Sequence, residues 1–234
     1  PFLFSALPHL GFGYGFGAQG SQILRLDYEQ AFAHHTLLNL RYDRWQRIGF
    51  MRADDLRFSG LQIKLQQYGK AHELLLSFSN ASDDRQWSGG IADYSDLNSL
   101  ALELIPVLKE TARTQKNTYD ASLQFRYRLI GDSLNRLNFA SYHAFHLQQR
   151  LYQEQGNLAL FYPQTFLNSD TCTDTFRQQF IENRVGLNWS SPKFQASSLL
   201  GLLQRQWLDP VLVYDTLEVN WNNEIQYKSQ QLFF

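Results

Sequence analysis

Side chains able to support nucleophilic or metal chemistry are few, and their spacing is unsuited to it. His34 and His35 are adjacent, so in an extended segment they point to opposite sides, whereas two ligands on one face need a spacing of two residues. His143 and His146 do not share a face either. The single cysteine, Cys172, stands in a polar segment without a neighbouring histidine to activate it, and we interpret it as a solvated loop residue. We therefore predict no catalytic residue, no cofactor, no metal site and no enzyme activity.

Charged side chains recur at a spacing that would place them on one face of successive strands. If those strands close into a barrel, arginines and carboxylates of mixed sign would line its interior. Such a lining either creates an electric field across a channel or pairs internally and plugs it, and the sequence leaves both open. The residues predicted to face this lumen are Arg25, Arg41, Asp43, Arg126, Arg128, Arg184, Glu218 and Glu224.

The elements that position these charges are predicted from a period of two. From Thr118 to Ile130, apolar and polar residues alternate up to Leu129, a pattern that a helix of period 3.6 would scatter around its axis. The apolar set is Tyr119, Ala121, Leu123, Phe125, Tyr127 and Leu129, and the polar set is Asp120, Ser122, Gln124, Arg126 and Arg128. This segment is therefore predicted to be a strand with one apolar and one polar face.

The same alternation recurs along the chain and predicts about nine or ten strands. The segments are 21–32, 38–43, 61–66, 72–79, 118–130, 134–147, 184–189, 194–205 and 217–227, with a glycine-spaced candidate at 11–17. Many approach the roughly 9–11 residues that a tilted strand needs to cross a bilayer, whereas strands of soluble proteins average about 5–6. Strand length therefore favours a membrane protein.

The predicted connections alternate between short turns and long polar loops, at 83–117 and 148–175. Short turns at one rim and long loops at the other are typical of outer-membrane barrels. Within the first loop, residues 94–109 have the pattern of an amphipathic helix, which would either fold into the barrel mouth or lie outside as a cap.

Composition supports the same fold class and excludes others. Charged residues make up 18% of the chain, below the soluble average of roughly 25%, while aromatics reach 15%. A formal net charge of -1 provides no basic surface for nucleic acid. The chain lacks the run of about 18 apolar residues that a membrane-spanning helix needs, so a membrane crossing would have to use strands.

Several short motifs, in their order along the chain, resemble the putative porins of the Bacteroidetes. They are the strand and Arg-rich segment Leu38–Phe50, then Trp87-Ser88-Gly89-Gly90-Ile91 followed by Asp93, then Ile105-Pro106-Val107 and Ala112, and then the strand from Tyr119. Ser88 replaces the asparagine usual in that family. The resemblance implies a bacterial outer-membrane barrel with a pore function. Members of the family are longer, and this chain opens on Pro1 without an initiator methionine, so we expect a processed chain or a fragment.

Together these patterns predict an all-β fold, an antiparallel up-and-down transmembrane β-barrel that fills residues 1–234 as one domain or forms part of a larger barrel. The expected location is the bacterial outer membrane, with its lipid and lipopolysaccharide as surroundings, other outer-membrane proteins as candidate partners and no nucleic acid. The expected function is passive diffusion of small polar solutes. Two alternatives stay open: a non-conducting barrel subunit of a secretion, assembly or uptake complex, and a soluble lipocalin-like binding barrel.

Overall fold

A computed structural model describes residues 7–32, 35–49, 53–89, 92, 106–131, 135–156, 171–209 and 213–227. Within these ranges the chain forms one antiparallel sheet of ten strands, each paired with its neighbours in sequence, which confirms the predicted all-β up-and-down order. The strands are β1 (His9–Phe16), β2 (Gln22–Phe32), β3 (Thr36–Arg47), β4 (Leu56–Tyr68), β5 (His72–Gln86), β6 (Arg113–Gly131), β7 (Arg136–Gln155), β8 (Thr171–Ser190), β9 (Phe194–Leu208) and β10 (Val213–Tyr227). A short 3-10 turn, Ala18–Gly20, joins β1 to β2.

The pairing register brings side chains of like character together across the sheet. Successive residues of a strand point to opposite faces, so paired residues share a face from one strand to the next. One row reads Tyr28, Leu40, Ile63, Phe78, Ala121, Phe145 and Ile181. We call the side carrying this row the apolar face and the opposite side the polar face.

Within the described ranges, the apolar face lacks a protein layer to cover it. Phe12, Trp221 and Ile225 lie on it and are 68%, 73% and 80% exposed. Among the residues that the structure describes, the buried hydrophobic side chains are Leu37, Leu56, Val107 and Ala112. Soluble monomers rarely expose contiguous apolar patches larger than a few hundred Å². An apolar surrounding must therefore cover this face.

The apolar band on β6 has the height of a bilayer core. It runs from Tyr119 to Leu129, and at ~3.3 Å per residue and a typical tilt of roughly 45° it would span about 25 Å. β6, β7 and β8 are 19, 20 and 20 residues long, so they continue well past the band. Their extensions are mostly polar on both faces, as Arg113, Gln115 and Asn117 show on the side of β6 where the apolar face would continue, although Leu151 on β7 and Phe176 on β8 are exceptions.

These extensions shorten the predicted loops. β5 reaches Gln86 and β6 begins at Arg113, so the connection predicted at 83–117 is 87–112. Similarly, β7 ends at Gln155 and β8 begins at Thr171, so the connection predicted at 148–175 is 156–170. The difference has a simple cause: a strand wetted on both faces has no apolar alternation to reveal it. The predicted helix at 94–109 lies mostly outside the described residues, and its last four, 106–109, are not helical.

Connection lengths differ between the two rims of the sheet, as predicted from the sequence. One rim carries the short connections 33–35, 69–71, 132–135 and 191–193. The other carries 17–21, 48–55, 87–112, 156–170 and 209–212, and includes every long connection. In 48–55, Ala53 adopts a positive φ of 56°.

β1 and β10 form the two edges of the sheet. Within the described ranges they do not pair with each other, so the sheet is open along both. The ten strands lie side by side, and within the described ranges they do not close into a barrel.

No helix in the described part of the chain is both long and apolar enough to cross a membrane.

The assignment of the faces predicts opposite effects of a new charge on each. Leu123→Arg places a cation in the middle of the apolar band, which should destabilise the fold by roughly 2–4 kcal/mol if that band meets lipid. Ala144→Arg, on the polar face opposite Glu182, is the matched control and should change stability by less than about 1 kcal/mol. The measurement is urea unfolding from lipid vesicles, followed by tryptophan fluorescence. Equal losses in the two variants would contradict the assignment.

Candidate functional site

All eight residues predicted to face a lumen lie on the polar face. The register places Arg25, Arg41, Asp43, Arg126, Arg128, Arg184, Glu218 and Glu224 on this one side of β2, β3, β6, β8 and β10. The chain therefore concentrates the charged side chains singled out from its sequence on a single surface, although they do not form one cluster. They fall into separate groups along the sheet.

The first group is a network of ion pairs between β2 and β3. The Asp43 carboxylate accepts hydrogen bonds from Arg25 Nε at 2.8 Å and from Arg41 Nε at 2.7 Å. Asp27 lies 3.8 Å from Arg41 Nε and completes the network. Two cations and two anions alternate across the strand pair, so the network is neutral as a whole while each member stays partly exposed.

β1 leaves this network uncovered. Its polar face consists of His9 and three glycines, with Gly11 opposite Asp27 and Gly13 opposite Arg25. A Cβ added at Gly15 would meet nothing within 4 Å, so the glycines are not required by local crowding. Their consequence is a bare strip of backbone beside the ion pairs, which a solute or another segment could approach closely.

The second group surrounds a depression of about 460 Å³ on the polar face. Arg126 Nη1 pairs with Glu73 Oε2 at 3.2 Å on one side. On the other side Arg184 pairs with Glu182, and its guanidinium lies 5.6 Å from the centre of the Tyr142 ring. Ala140, on the strand between these pairs, also lines the depression. The depression offers charge of both signs and an aromatic ring, a combination suited to polar or zwitterionic solutes.

Gly186 is required by the packing of β8 against β9 beneath this group. A Cβ at that position would lie 2.5 Å from the backbone oxygen of Ser198, too close to be accommodated without moving the strands. Gly201, on the neighbouring strand, would tolerate a Cβ, whose nearest neighbour would be 3.7 Å away. The sequence alone gives no sign of this difference.

A third group joins Asp120, His146 and Phe180. His146 Nδ1 lies 2.5 Å from Asp120 Oδ1, and its ring stacks on Phe180 with centroids 4.3 Å apart. Ser79 Oγ also donates to Asp120, at 3.3 Å. Nucleophile activation requires the histidine to lie between the hydroxyl and the carboxylate. Here the carboxylate lies in the middle, so the three groups do not form a catalytic triad.

The remaining predicted residues have weaker partners. Glu218 pairs with Arg205 at 3.5 Å, and Glu224 accepts a hydrogen bond from Gln226 at 2.5 Å. The Nε of Arg128 is buried and has no hydrogen-bond partner within the described part of the chain.

The histidines and the cysteine that the structure describes do not assemble into a metal centre. His143 lies on the apolar face, with Nδ1 2.8 Å from Asn183 Oδ1, and so points away from His146. Cys172 lies in β8 opposite Glu154, which corrects its interpretation as a loop residue. In the described ranges no three His, Cys, Asp or Glu side chains are grouped so that they could hold a metal ion.

The strand extensions carry a polar cluster that sequence analysis missed. Arg113 Nε donates to Asp84 Oδ1 at 2.6 Å, beyond the apolar band. This hydrogen bond lowers the pKa of the Asp84 carboxyl, against the opposing effect of partial burial. Lys109 Nζ lies 3.1 Å from the buried carboxylate of Glu154 and ties the connection 87–112 to the end of β7. Each pair joins residues at least 29 positions apart, so no local motif signals it.

Comparison with known proteins gives structural matches only. No protein-family model matches the chain, and no curated protein matches it. The fold is similar to the open form of the ferric-catecholate import receptor Fiu from E. coli K12, with a TM-score of 0.59 and 14% identity, over 84% of this chain and 34% of the receptor. The unliganded ferric citrate transporter FecA gives a TM-score of 0.45 and 8% identity, over 96% of this chain and 42% of the transporter.

Both neighbours are outer-membrane receptor barrels. The chain spans about a third of the length of the import receptor. At 14% identity the likeness concerns the fold alone. The resemblance to the Bacteroidetes putative porins is not addressed by these matches and stays a prediction.

The packing at Gly186 makes a testable difference between two glycines. Gly186→Ala should destabilise the sheet by roughly 1–3 kcal/mol, because the added methyl group forces β8 and β9 apart. Gly201→Ala should cost less than about 0.5 kcal/mol or stabilise slightly, because its site has room. Denaturant unfolding of both variants measures the difference. Losses of similar size would show that the close approach of the two strands is not maintained.

Proposed function

We propose that this chain forms part of the wall of an outer-membrane β-barrel that moves small polar solutes across the membrane. The observation that carries the proposal is the separation of the two faces of the sheet. A band of apolar side chains covers one face from β1 to β10, while mixed charges and hydrogen-bonded polar groups cover the other. Such a sheet suits a barrel wall whose apolar face meets lipid outside and whose polar face meets water inside.

A larger barrel than these ten strands would complete the wall. In lipid, an open strand edge leaves backbone N–H and C=O groups unpaired, so β1 and β10 each need a neighbouring strand. A ten-stranded barrel would also be narrow, with an interior that side chains largely fill. The likeness to about a third of the import receptor supports further strands beyond both edges. In that larger barrel the bare glycine strip of β1 and the depression near Arg184 would face the interior.

The mixed charges support transport of neutral or zwitterionic solutes over strong ion selectivity. Asp43 is shared by two arginines, and Arg126 and Arg184 each have a glutamate partner. Paired charges of opposite sign leave little net field along the wall, although they offer donors and acceptors to a passing solute. Whether the complete barrel is an import receptor or a diffusion pore, its function would be to pass a solute across the membrane.

A non-conducting barrel in an assembly is the alternative, because internally paired charges could also hold a plug. A soluble lipocalin-like barrel is disfavoured by the strand lengths. β6, β7 and β8 are 19 to 20 residues long and mostly polar on both faces where they pass the apolar band. A soluble barrel with its apolar face inward has no use for such extensions.

Planar-bilayer conductance of the detergent-extracted full-length protein tests the proposal. An open pore should give stable current steps that scale with salt, with weak selectivity between cations and anions because the lining charges are paired. Clean membrane extraction without conductance would leave the barrel in place and favour a plugged or partner-dependent role. A protein that is soluble without detergent would overturn the membrane location itself.

A further inference from the structure

Three arginines stand on the apolar face where its apolar band ends. Arg44 follows Tyr42 on the same face of β3, and Arg57 lies diagonally across from it on β4. Arg57 lies opposite Asp84 of β5 in the strand register, and Arg113 on β6 binds that same aspartate. The four side chains therefore form a continuous patch over β3 to β6, at the rim that carries the long connections.

The two arginines nearest the band are free to bind something else. Arg44 and Arg57 are exposed, and in the described part of the chain neither side chain makes a hydrogen bond or an ion pair. Arg113 and Asp84 engage each other through Nε and Oδ1 at 2.6 Å. Two carboxylates lie at the patch: Asp84, already held by Arg113, and Asp55, which lines the same depression as Arg57 and Arg113. The three guanidinium groups outnumber them. The patch is cationic.

This arrangement differs from that of the arginines on the polar face. There, Arg25, Arg41 and Arg126 each contact a carboxylate of the same face. In the described ranges Arg44 and Arg57 make no such ion pair. Long cationic side chains at the border of an apolar surface place the stem along hydrocarbon and the charge among headgroups.

We propose that Arg44, Arg57 and Arg113 bind the phosphate groups of a phosphorylated membrane lipid in the leaflet at the long-connection rim. The guanidinium group presents paired N–H donors that match phosphate oxygens. The acyl chains of the same lipid would lie on the apolar face below, against Tyr42 and Leu61. Asp84 fixes Arg113 in place and leaves its remaining N–H groups for the lipid. The inference rests on the proposed function, because it needs the apolar face to meet lipid.

The test uses the full-length protein in detergent micelles and lipid A, either phosphorylated or stripped of its phosphates. Native mass spectrometry measures the lipid retained. The wild-type protein should retain the phosphorylated form and lose the phosphate-free form. Arg44→Gln combined with Arg57→Gln should weaken retention by about tenfold or more. Lys64→Gln combined with Lys116→Gln removes two cations from the polar face instead and should leave retention unchanged.

Three results would overturn the lipid site. They are equal retention by the Arg44/Arg57 double variant, equal retention of phosphate-free lipid, and full displacement by millimolar inorganic phosphate, which would indicate a free-anion site. Should the double variant fail to fold, Arg44→Lys with Arg57→Lys keeps the charge and should retain the lipid partially. Failure of the proposed function would look different: the protein would be soluble without detergent, which is observed before any lipid is added.

Discussion

Backbone hydrogen bonding without water is the constraint on which the rest of this structure depends. In hydrocarbon each N–H and C=O must be paired within protein, and a sheet does this one strand at a time. From β1 to β10 every strand pairs with its neighbours in sequence, and two edges remain. Under the proposed function, both edges need a neighbouring strand before the sheet can stand in lipid.

The same constraint separates the two faces. Once the backbone is paired, the side chains alone decide what each face meets, and alternation along each strand commits them to opposite surroundings. Around Leu123 the sheet presents hydrocarbon on one side, while the Asp43 and Arg184 groups present paired charges on the other. Arg44, Arg57 and Arg113 break this rule, and they do so at or beyond the end of the apolar band. Function follows from this sorting more than from any single residue.

Sequence periodicity predicted the part of the fold that the bilayer dictates. The alternation from Tyr119 to Leu129 placed β6 and both of its faces correctly, and all eight predicted lumen-facing residues share the polar face. It could not reveal the strand extensions, where Arg113 and Asn117 replace apolar residues and the pattern vanishes. Nor could it reveal partners set by register, such as Asp84 with Arg113 or Cys172 opposite Glu154, which depend on residues brought together across strands.

The most direct test of the account is the surroundings of two adjacent residues of β6. Spin labels at Leu123→Cys and at Gln124→Cys, each in a Cys172→Ser background, would be compared for collision with oxygen, which concentrates in lipid, and with a water-soluble nickel complex. The account predicts that the label at 123 favours oxygen and that the label at 124 does not. A label at 123 that neither reagent reaches, or that favours the nickel complex, would contradict a lipid-facing apolar surface.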